Sequence, residues 1–475
     1  MIFSSMEFLL IFLPLFLLIY RLTPDRNKNV TLLAGSLVFY ALGEPKYLVL
    51  LLCSVLVNHK IGLYVGRDFR QGPEPSGRKR RQNRKKKGKG CRNQVENKKR
   101  RRLLAAAVVL NVGLLAGCKA FLKDLPLGIS FYTFQVLSYL IDLYRGEQAR
   151  ETSRLKFAVY VTMFPRLVSG PIVSYGEVRE DLGERKLSAE GLQEGLKVFT
   201  LGLAAKVLLA DRLGFLWQEV QVTGFESIST PLAWIAAVGF SMKIYFDFYG
   251  YSLMAVGLGR MLGFSLPENF RTPYAARSVR DFYRRWHVTL GRWFCKYVYV
   301  PLGGSRRGEF RTTCNLLAVW LLTALWHGST VNFLLWGLLL WLLIVLERRA
   351  EAFGWGRFFR KGPLRAIPHL YLWLVIPVTW MCFAVTDTAQ LQVYLGRMFG
   401  VTRGIYISAG DWLKALGNYW YLFGIGALAC TPALEKLFRR WKDTAACSIL
   451  LAVLFWTCVW RLQAEGQNPF MYSGF

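Results

Sequence analysis

Histidine is rare in this sequence, with four residues in 475, and carboxylates are outnumbered, 30 against 61 lysines and arginines. The nine cysteines are scattered, mostly in apolar runs, with no CxxC pair. That spacing offers neither a disulfide framework nor a zinc site, and buried reduced thiols are the expectation. No segment repeats at a fixed period, which sets aside solenoid and propeller folds. The opening MIFSSMEFLLIFLPLFLLIY has neither a basic n-region nor a small-residue cleavage site. It reads as a retained first span, not a signal peptide.

What the chain has instead is apolar sequence throughout: 53% hydrophobic, 15% aromatic, with sixteen tryptophans. Apolar runs recur from end to end. The expected fold is an all-α polytopic membrane protein, one membrane-embedded domain over residues 1–475. Spans are expected near 5–20, 29–42, 47–65, 103–118, 125–146, 157–173, 192–217, 231–250, 368–385, 418–431 and 446–460. Residues 67–102 hold 17 lysines and arginines against Asp68, Glu74 and Glu96, so nearly half of the formal +31 charge lies in one loop. With three spans before it, this loop falls on the same side as the basic turn 21–28. Both belong in the cytoplasm, which places the N-terminus outside. The loop has few aromatics to stack bases. A disordered topology anchor touching anionic membrane lipids is expected, and no nucleic-acid partner.

Some polar residues interrupt the apolar runs. Ser130, Thr133, Gln135, Ser138 and Asp142 suggest a face turned into the bundle, with Asp142 near Arg145. Pro165, Gly170 and Pro171 predict a broken helix, which makes Arg166 inside it a site candidate. Lys243 and Asp247 stand four apart, a spacing that pairs side chains on a helix. His59 and His369 are expected to be structural.

The other two histidines, His287 and His327, lie in residues 281–328, each directly after a tryptophan. Taken as a helix at about 100° per residue, the first half puts Phe282, Trp286, Leu290, Trp293 and Tyr297 on one stripe. Asp281, Arg285, Arg292 and Lys296 fall opposite, as in an interfacial helix, with His287 at the stripe's edge. Pro301 and Gly303-Gly304 break the pattern. The apolar run 312–326 spans about 22 Å as a helix, short of a hydrocarbon core of about 30 Å. It meets the polar break His327–Asn332 before a second apolar run, 333–346. Either the two runs form a hairpin dipping from the cytoplasm with His327 near its deep tip, or they are two tilted spans with His327 at the far surface. In the first case His327 has a seat in a tunnel, since irregular backbone at that depth must line a cavity or be buried in protein.

The order of motifs resembles the membrane-bound O-acyltransferase family, in its bacterial alginate O-acetyltransferase-like branch. The resemblance runs through MIFSSMEFLLIFLP, LPLGISFYTFQVLSYLIDLYRG, FPRLVSGPIV, FDFYGYS, ENFRTPY, FYRRWHVTLGRWF, YVPLGGSRRG, LWHG, NFLLWG and the terminal NPFMYSGF. It departs at Lys296, where the branch has Asp, and at Tyr249 and Leu253, where it has Ser and Asp. The resemblance implies a multi-helix bundle with broken or re-entrant helices around a tunnel. It also implies transfer of an acyl group, usually acetyl, from a cytoplasmic thioester donor to an exported cell-surface polysaccharide. The donor is acetyl-CoA or an acyl carrier, no bound cofactor or metal is implied, and a secreted or anchored SGNH-like protein is the expected partner. The family's invariant histidine falls on His327 and its second polar site on His287.

Chemistry supports the first assignment: a hydroxyl attacking a thioester needs its proton removed, and a neutral imidazole does this near pH 7. His327 and His287 are therefore the candidate catalytic residues. Trp326, Asn332, Arg285, Trp286, Arg292 and Asp247 are the candidate substrate-binding ones, with His287, Asn332 or backbone N–H groups at the break able to face an oxyanion. Arg285, Arg292, Lys296, Arg306 and Arg307 form a basic rim for donor phosphates. The alternatives are D-alanyl transfer to teichoic acid, or a transporter or scaffold for a secreted acyltransferase.

Overall fold

The computed structural model describes residues 1–66, 83–122, 124–183, 185, 187–354 and 362–466, and no strand occurs among them. The terminal NPFMYSGF and residues 67–82 of the basic loop lie outside the described residues. The chain opens with α1 (Phe8–Leu22), whose first turn Phe8–Phe12 is a π-helix. By their contacts the helices form two units. Five described helices are long and apolar enough to cross a membrane: Pro45–Val65, Glu96–Phe121, Val331–Ala352, Leu364–Ala384 and Ala445–Glu465.

The first unit, mainly residues 14–187, holds α2 (Lys28–Gly43), α3 (Leu48–Val65), α4 (Asn83–Phe121), α5 (Ile129–Arg145), α6 (Arg154–Thr162) and α7 (Phe164–Leu167). The described part of the basic segment, from Asn83, is not a loop: it is the first half of α4. Arginine and lysine are good helix formers, and the apolar 103–121 that follows extends the same helix. Asn58 of α3 and Asn111 of α4 bond amide to amide at 3.1 and 2.8 Å, each buried. Such pairs satisfy polar groups that lipid cannot. All five polar residues expected to face inward on α5 are buried. The break in the next run comes at Met163 (φ −52°, ψ 112°), with Pro165 in the first turn of α7, where a missing N–H costs nothing. Arg166 is 1% exposed and lies 5.1 Å over the Tyr160 ring.

The second unit, mainly residues 188–262 and 266–475, holds the two central histidines. It begins with α8 (Ala189–Ala204), a π-helical turn Ala205–Ala210, α9 (Asp211–Thr223) and α10 (Thr230–Met261). Glycines seven apart draw α8 and α10 together. A Cβ on Gly202 would stand 2.5 Å from the Gly250 carbonyl, and one on Gly195 would stand 2.7 Å from that of Gly257. Small residues allow this backbone approach, the common way that helices associate where no hydrophobic effect drives them. After α10 come α11 (Val279–Arg285), α12 (Val288–Phe294), a π turn Cys295–Tyr299, α13 (Glu309–His327) and α14 (Val331–Ala352). They are followed by α15 (Ile367–Ala384), α16 (Thr388–Met398), α17 (Asp411–Ala429), α18 (Pro432–Trp441) and α19 (Ala445–Glu465).

Two local expectations change. The stripe from Phe282 to Tyr297 is not carried by one helix: α11 and α12, each of seven residues, are separated at Trp286 and His287. Phe282, Trp286, Leu290 and Trp293 are buried all the same. The run read as 312–326 is part of a 19-residue helix, about 28 Å long at 1.5 Å per residue. Helices α13 and α14 pack closely because Gly337 has no side chain; a Cβ there would lie 2.9 Å from the Trp320 carbonyl.

Candidate active site: two buried histidines

His287 occupies the break between α11 and α12 in the left-handed region, φ 47° and ψ 53°. A non-glycine residue holds that conformation only where its surroundings fix it. The fixing group is Asn269, in the loop after α10. Its Oδ1 lies 3.0 Å from His287 Nδ1, and it accepts from the Thr289 N–H at 3.2 Å and the Thr289 hydroxyl at 2.9 Å. A backbone N–H can only donate, so the shared atom is the oxygen. The neighbouring chain is also clamped, by Arg271 N–H to Arg285 O at 3.0 Å and Val288 N–H to Asn269 O at 2.9 Å. His287 Nδ1 therefore carries the proton, and Nε2 is buried with no hydrogen-bond partner among the described residues. Neither flanking helix is long enough to cross a bilayer; burial, with His327 nearby, holds His287 well below the ordinary imidazole value. It is neutral at pH 7.

His327 is the last residue of α13 and is 6% exposed. Its Nδ1 lies 2.8 Å from the Thr323 carbonyl, one turn back. A carbonyl only accepts, so here too Nδ1 bears the proton, and in a neutral ring so bonded Nε2 is the basic nitrogen. Gly328 then lets the chain leave: a Cβ there would stand 2.3 Å from the Phe333 ring. Trp336 and Phe383 press edge-on against the imidazole with centroids at 5.0 and 5.4 Å.

Trp326 lies between the histidines, its ring 4.7 Å from His327 and 6.3 Å from His287. Trp286 joins the same aromatic body through Trp380 at 4.9 Å, which in turn meets Trp336 at 6.2 Å. So His287, His327, Trp326 and Trp286 belong to one aromatic body.

The others serve elsewhere. Asn332 donates to the Cys382 and Phe383 carbonyls at 3.3 and 3.1 Å and accepts from Thr330 at 2.5 Å. Its amide ties α14 to α15, so it is not an oxyanion donor. His287 is not one either while neutral, because the nitrogen it presents is an acceptor. Arg285 pairs with Asp281 at 3.0 Å, and Arg292 is exposed. With exposed Lys296, Arg306 and Arg307, Arg292 stays on the outer side of this segment. Asp247 is committed to Lys206 of the π turn at 2.9 Å, and Lys206 also bonds Asp211 at 2.6 Å. Lys243 lies 5.4 Å over the Phe240 ring, and Asp247 also acts on its charge. Asn269, Thr289 and Lys206 were missed. Asn269 stood in plain view in ENFRTPY, but nothing local says that its amide faces a residue 18 positions on.

No group of three or more His, Cys, Asp or Glu side chains among the described residues could hold a metal. The arrangement is two buried imidazoles, each with its Nδ1 bonded to an oxygen, in an aromatic interior. That is equipment for removing a proton from a hydroxyl.

Comparison with known proteins agrees with this chemistry. The model of the membrane-bound O-acyltransferase family matches residues 146–386, which contain both histidines. The chain is 34% identical to the probable alginate O-acetylase AlgI of Pseudomonas fluorescens over 92% of its own length and 82% of that protein's. It is 29% identical to the peptidoglycan O-acetyltransferase of Helicobacter pylori, over 84% of its own length and 80% of that protein's. It is 26% identical to the teichoic acid D-alanyltransferase of Bacillus subtilis over 54% and 67%. The chain belongs to the membrane-bound O-acyltransferase family and is a multi-pass membrane O-acyltransferase.

Proposed function

We propose that this enzyme moves an acetyl group from a thioester donor on the cytoplasmic side to hydroxyls of an exported cell-surface polysaccharide. The observation that carries the reading is the His327 Nδ1 bond to Thr323 O, which leaves Nε2 as a base. In the reaction the acceptor oxygen attacks the thioester carbonyl carbon while Nε2 takes the hydroxyl proton. The C–S bond then breaks, and the imidazolium returns the proton to the leaving thiolate. His287, locked by Asn269, offers a second acceptor that orients the incoming hydroxyl. Names of similar proteins support a polymer acceptor: alginate in one, peptidoglycan in another. The donor is acetyl-CoA or an acyl carrier, with the basic rim from Arg292 to Arg307 meeting its phosphates. A secreted or anchored SGNH-like protein completes delivery outside.

Orientation follows from charge: residues 21–28 and 67–102 inside, the N-terminus outside. The test supplies radiolabelled acetyl-CoA to inverted membrane vesicles containing the enzyme. Label on luminal polysaccharide, lost with His327→Ala, is the expected result. Transfer only from a carrier protein charged with D-alanine would favour teichoic acid as acceptor instead.

A further inference from the structure

The second unit contains a cavity of about 1180 Å³ that neither histidine lines. It runs between α8, α10 and the C-terminal helices α17–α19. Its walls are apolar, among them Leu201, Leu208, Val256, Ile425 and Leu454. Charge is confined to the ends. At one end Arg212 and Arg461 both bond Glu465, each at 2.6 Å, where α19 finishes. The other end lies where α19 begins. There Lys197, Arg260, Arg271, Arg439 and Lys442 border the opening. The 21 residues of α19 between these ends measure about 31 Å, close to the hydrocarbon thickness of about 30 Å. The cavity therefore stands upright beside a spanning helix, apolar at acyl-chain depth and charged at the two interfaces.

The second end holds five cations, Lys197, Arg260, Arg271, Arg439 and Lys442, against the lining carboxylates Glu194, Glu268 and Glu435 and the neighbouring Asp443, a small positive surplus. Glu194 bonds Lys442 and lies 3.9 Å from Arg260; Glu435 bonds Arg439; Lys197 meets Asp443 at 3.6 Å. Arg271 forms no ion pair among the described residues. Helix α18 adds exposed Lys436 and Arg440 on its outer side while Leu434 and Phe438 face the cavity. That is the pattern of a helix lying in the interface over anionic lipid.

We infer that this cavity binds an anionic phospholipid, its acyl chain along Leu201, Val256 and Ile425 and its headgroup phosphate among Arg271, Arg439 and Lys442. Apolar walls exclude a soluble polyanion, and surplus cations favour an anionic over a zwitterionic headgroup. One leaflet's chain fills about half of the core thickness, so the slot exceeds a single chain in length. The headgroup end shares the loop Glu268–Thr272 with Asn269, the residue that holds His287. The inference does not draw on the acyl-transfer reading and stands or falls apart from it.

The experiment reconstitutes the full chain in phosphatidylcholine vesicles carrying a trace of phosphatidylglycerol with a photoactivatable acyl chain. Crosslinks are mapped by peptide mass spectrometry. Labelling concentrated on α10 between Tyr245 and Val256 and on α17 between Leu422 and Ala429 is expected, and several-fold weaker with the phosphatidylcholine analogue. Arg271→Ala and Arg439→Ala should each weaken it by about fivefold. Leu201→Trp should remove the cavity labels while sparing those on lipid-exposed faces. The wild-type map decides the matter even if a variant misfolds. Even labelling of all outer faces, or equal labelling by both lipids, overturns the inference. So does loss of the cavity labels on adding acetyl-CoA, which would make the cavity the donor's vestibule.

Discussion

Asn269 fixes both the place and the tautomer of His287: one oxygen takes the Nδ1 proton at 3.0 Å and two donors of Thr289. Removing it should therefore do more than loosen a loop. Asn269→Ala removes the acceptor that three buried donors share, a buried donor costing about 1–3 kcal/mol when orphaned, and frees the imidazole to flip. Acyl transfer should fall by tenfold or more, on the order of one misplaced catalytic contact. Asn269→Asp keeps an acceptor but adds a charge that favours the imidazolium. His287 is held neutral by burial and by His327, so in this variant its protonation on acidification should begin at a higher pH. The acid limb of the pH–rate profile should move upward. An unchanged profile in Asn269→Asp, with full activity in Asn269→Ala, would deny Asn269 this role.

Lys206 bridges Asp211 and Asp247 at 2.6 and 2.9 Å in the interior. Lys206→Met removes the ammonium held between two buried carboxylates, and breaking such a set costs about 3–5 kcal/mol. Thermal unfolding in detergent should show a large loss. Lys243→Met should cost much less, because that ammonium lies over a ring. Equal losses from the two lysines would show that the pairing runs along α10 after all.

Gly328 and Phe333 touch so closely that any Cβ must displace the ring. Gly328→Ala should destabilise by about 1–3 kcal/mol through overpacking and depress transfer by shifting His327. Phe333→Leu, which shortens the obstructing group, should restore part of both in the double variant. Simple additivity of the two changes would mean that they do not act through this contact.

The spans near 47–65, 103–118, 368–385 and 446–460 and the inward polar faces were legible because burial in a helical bundle leaves its mark on neighbouring residues. Ser130 to Asp142 and Pro165 show this. The break at His287 was not legible, since Phe282, Trp286, Leu290 and Trp293 keep one helical period through it. Its left-handed backbone is stabilised by Asn269, whose contribution is long-range. The same holds for Asp247: spacing suggested Lys243, whose charge it does feel, and packing added Lys206, which spacing did not suggest. Both histidines stood out because a rare, titratable residue in apolar sequence is costly unless used.

Orientation rests on the basic segments 21–28 and 67–102. With every other cysteine replaced, Cys91 reports the second of them. It should resist a membrane-impermeant maleimide in intact cells and react once the membrane is opened. Reaction in intact cells would invert the topology.

The central claim is that His327 takes the acceptor's proton. The measurement is the O-acetyl content of exported polysaccharide, by NMR, in cells producing wild type, His327→Ala or His287→Ala at equal levels of membrane-inserted, well-folded protein. Loss of a general base typically costs about 10²–10⁴-fold, so His327→Ala should bring acetylation to background while His287→Ala retains measurable transfer. Near-normal acetylation by a folded His327→Ala enzyme would contradict the account.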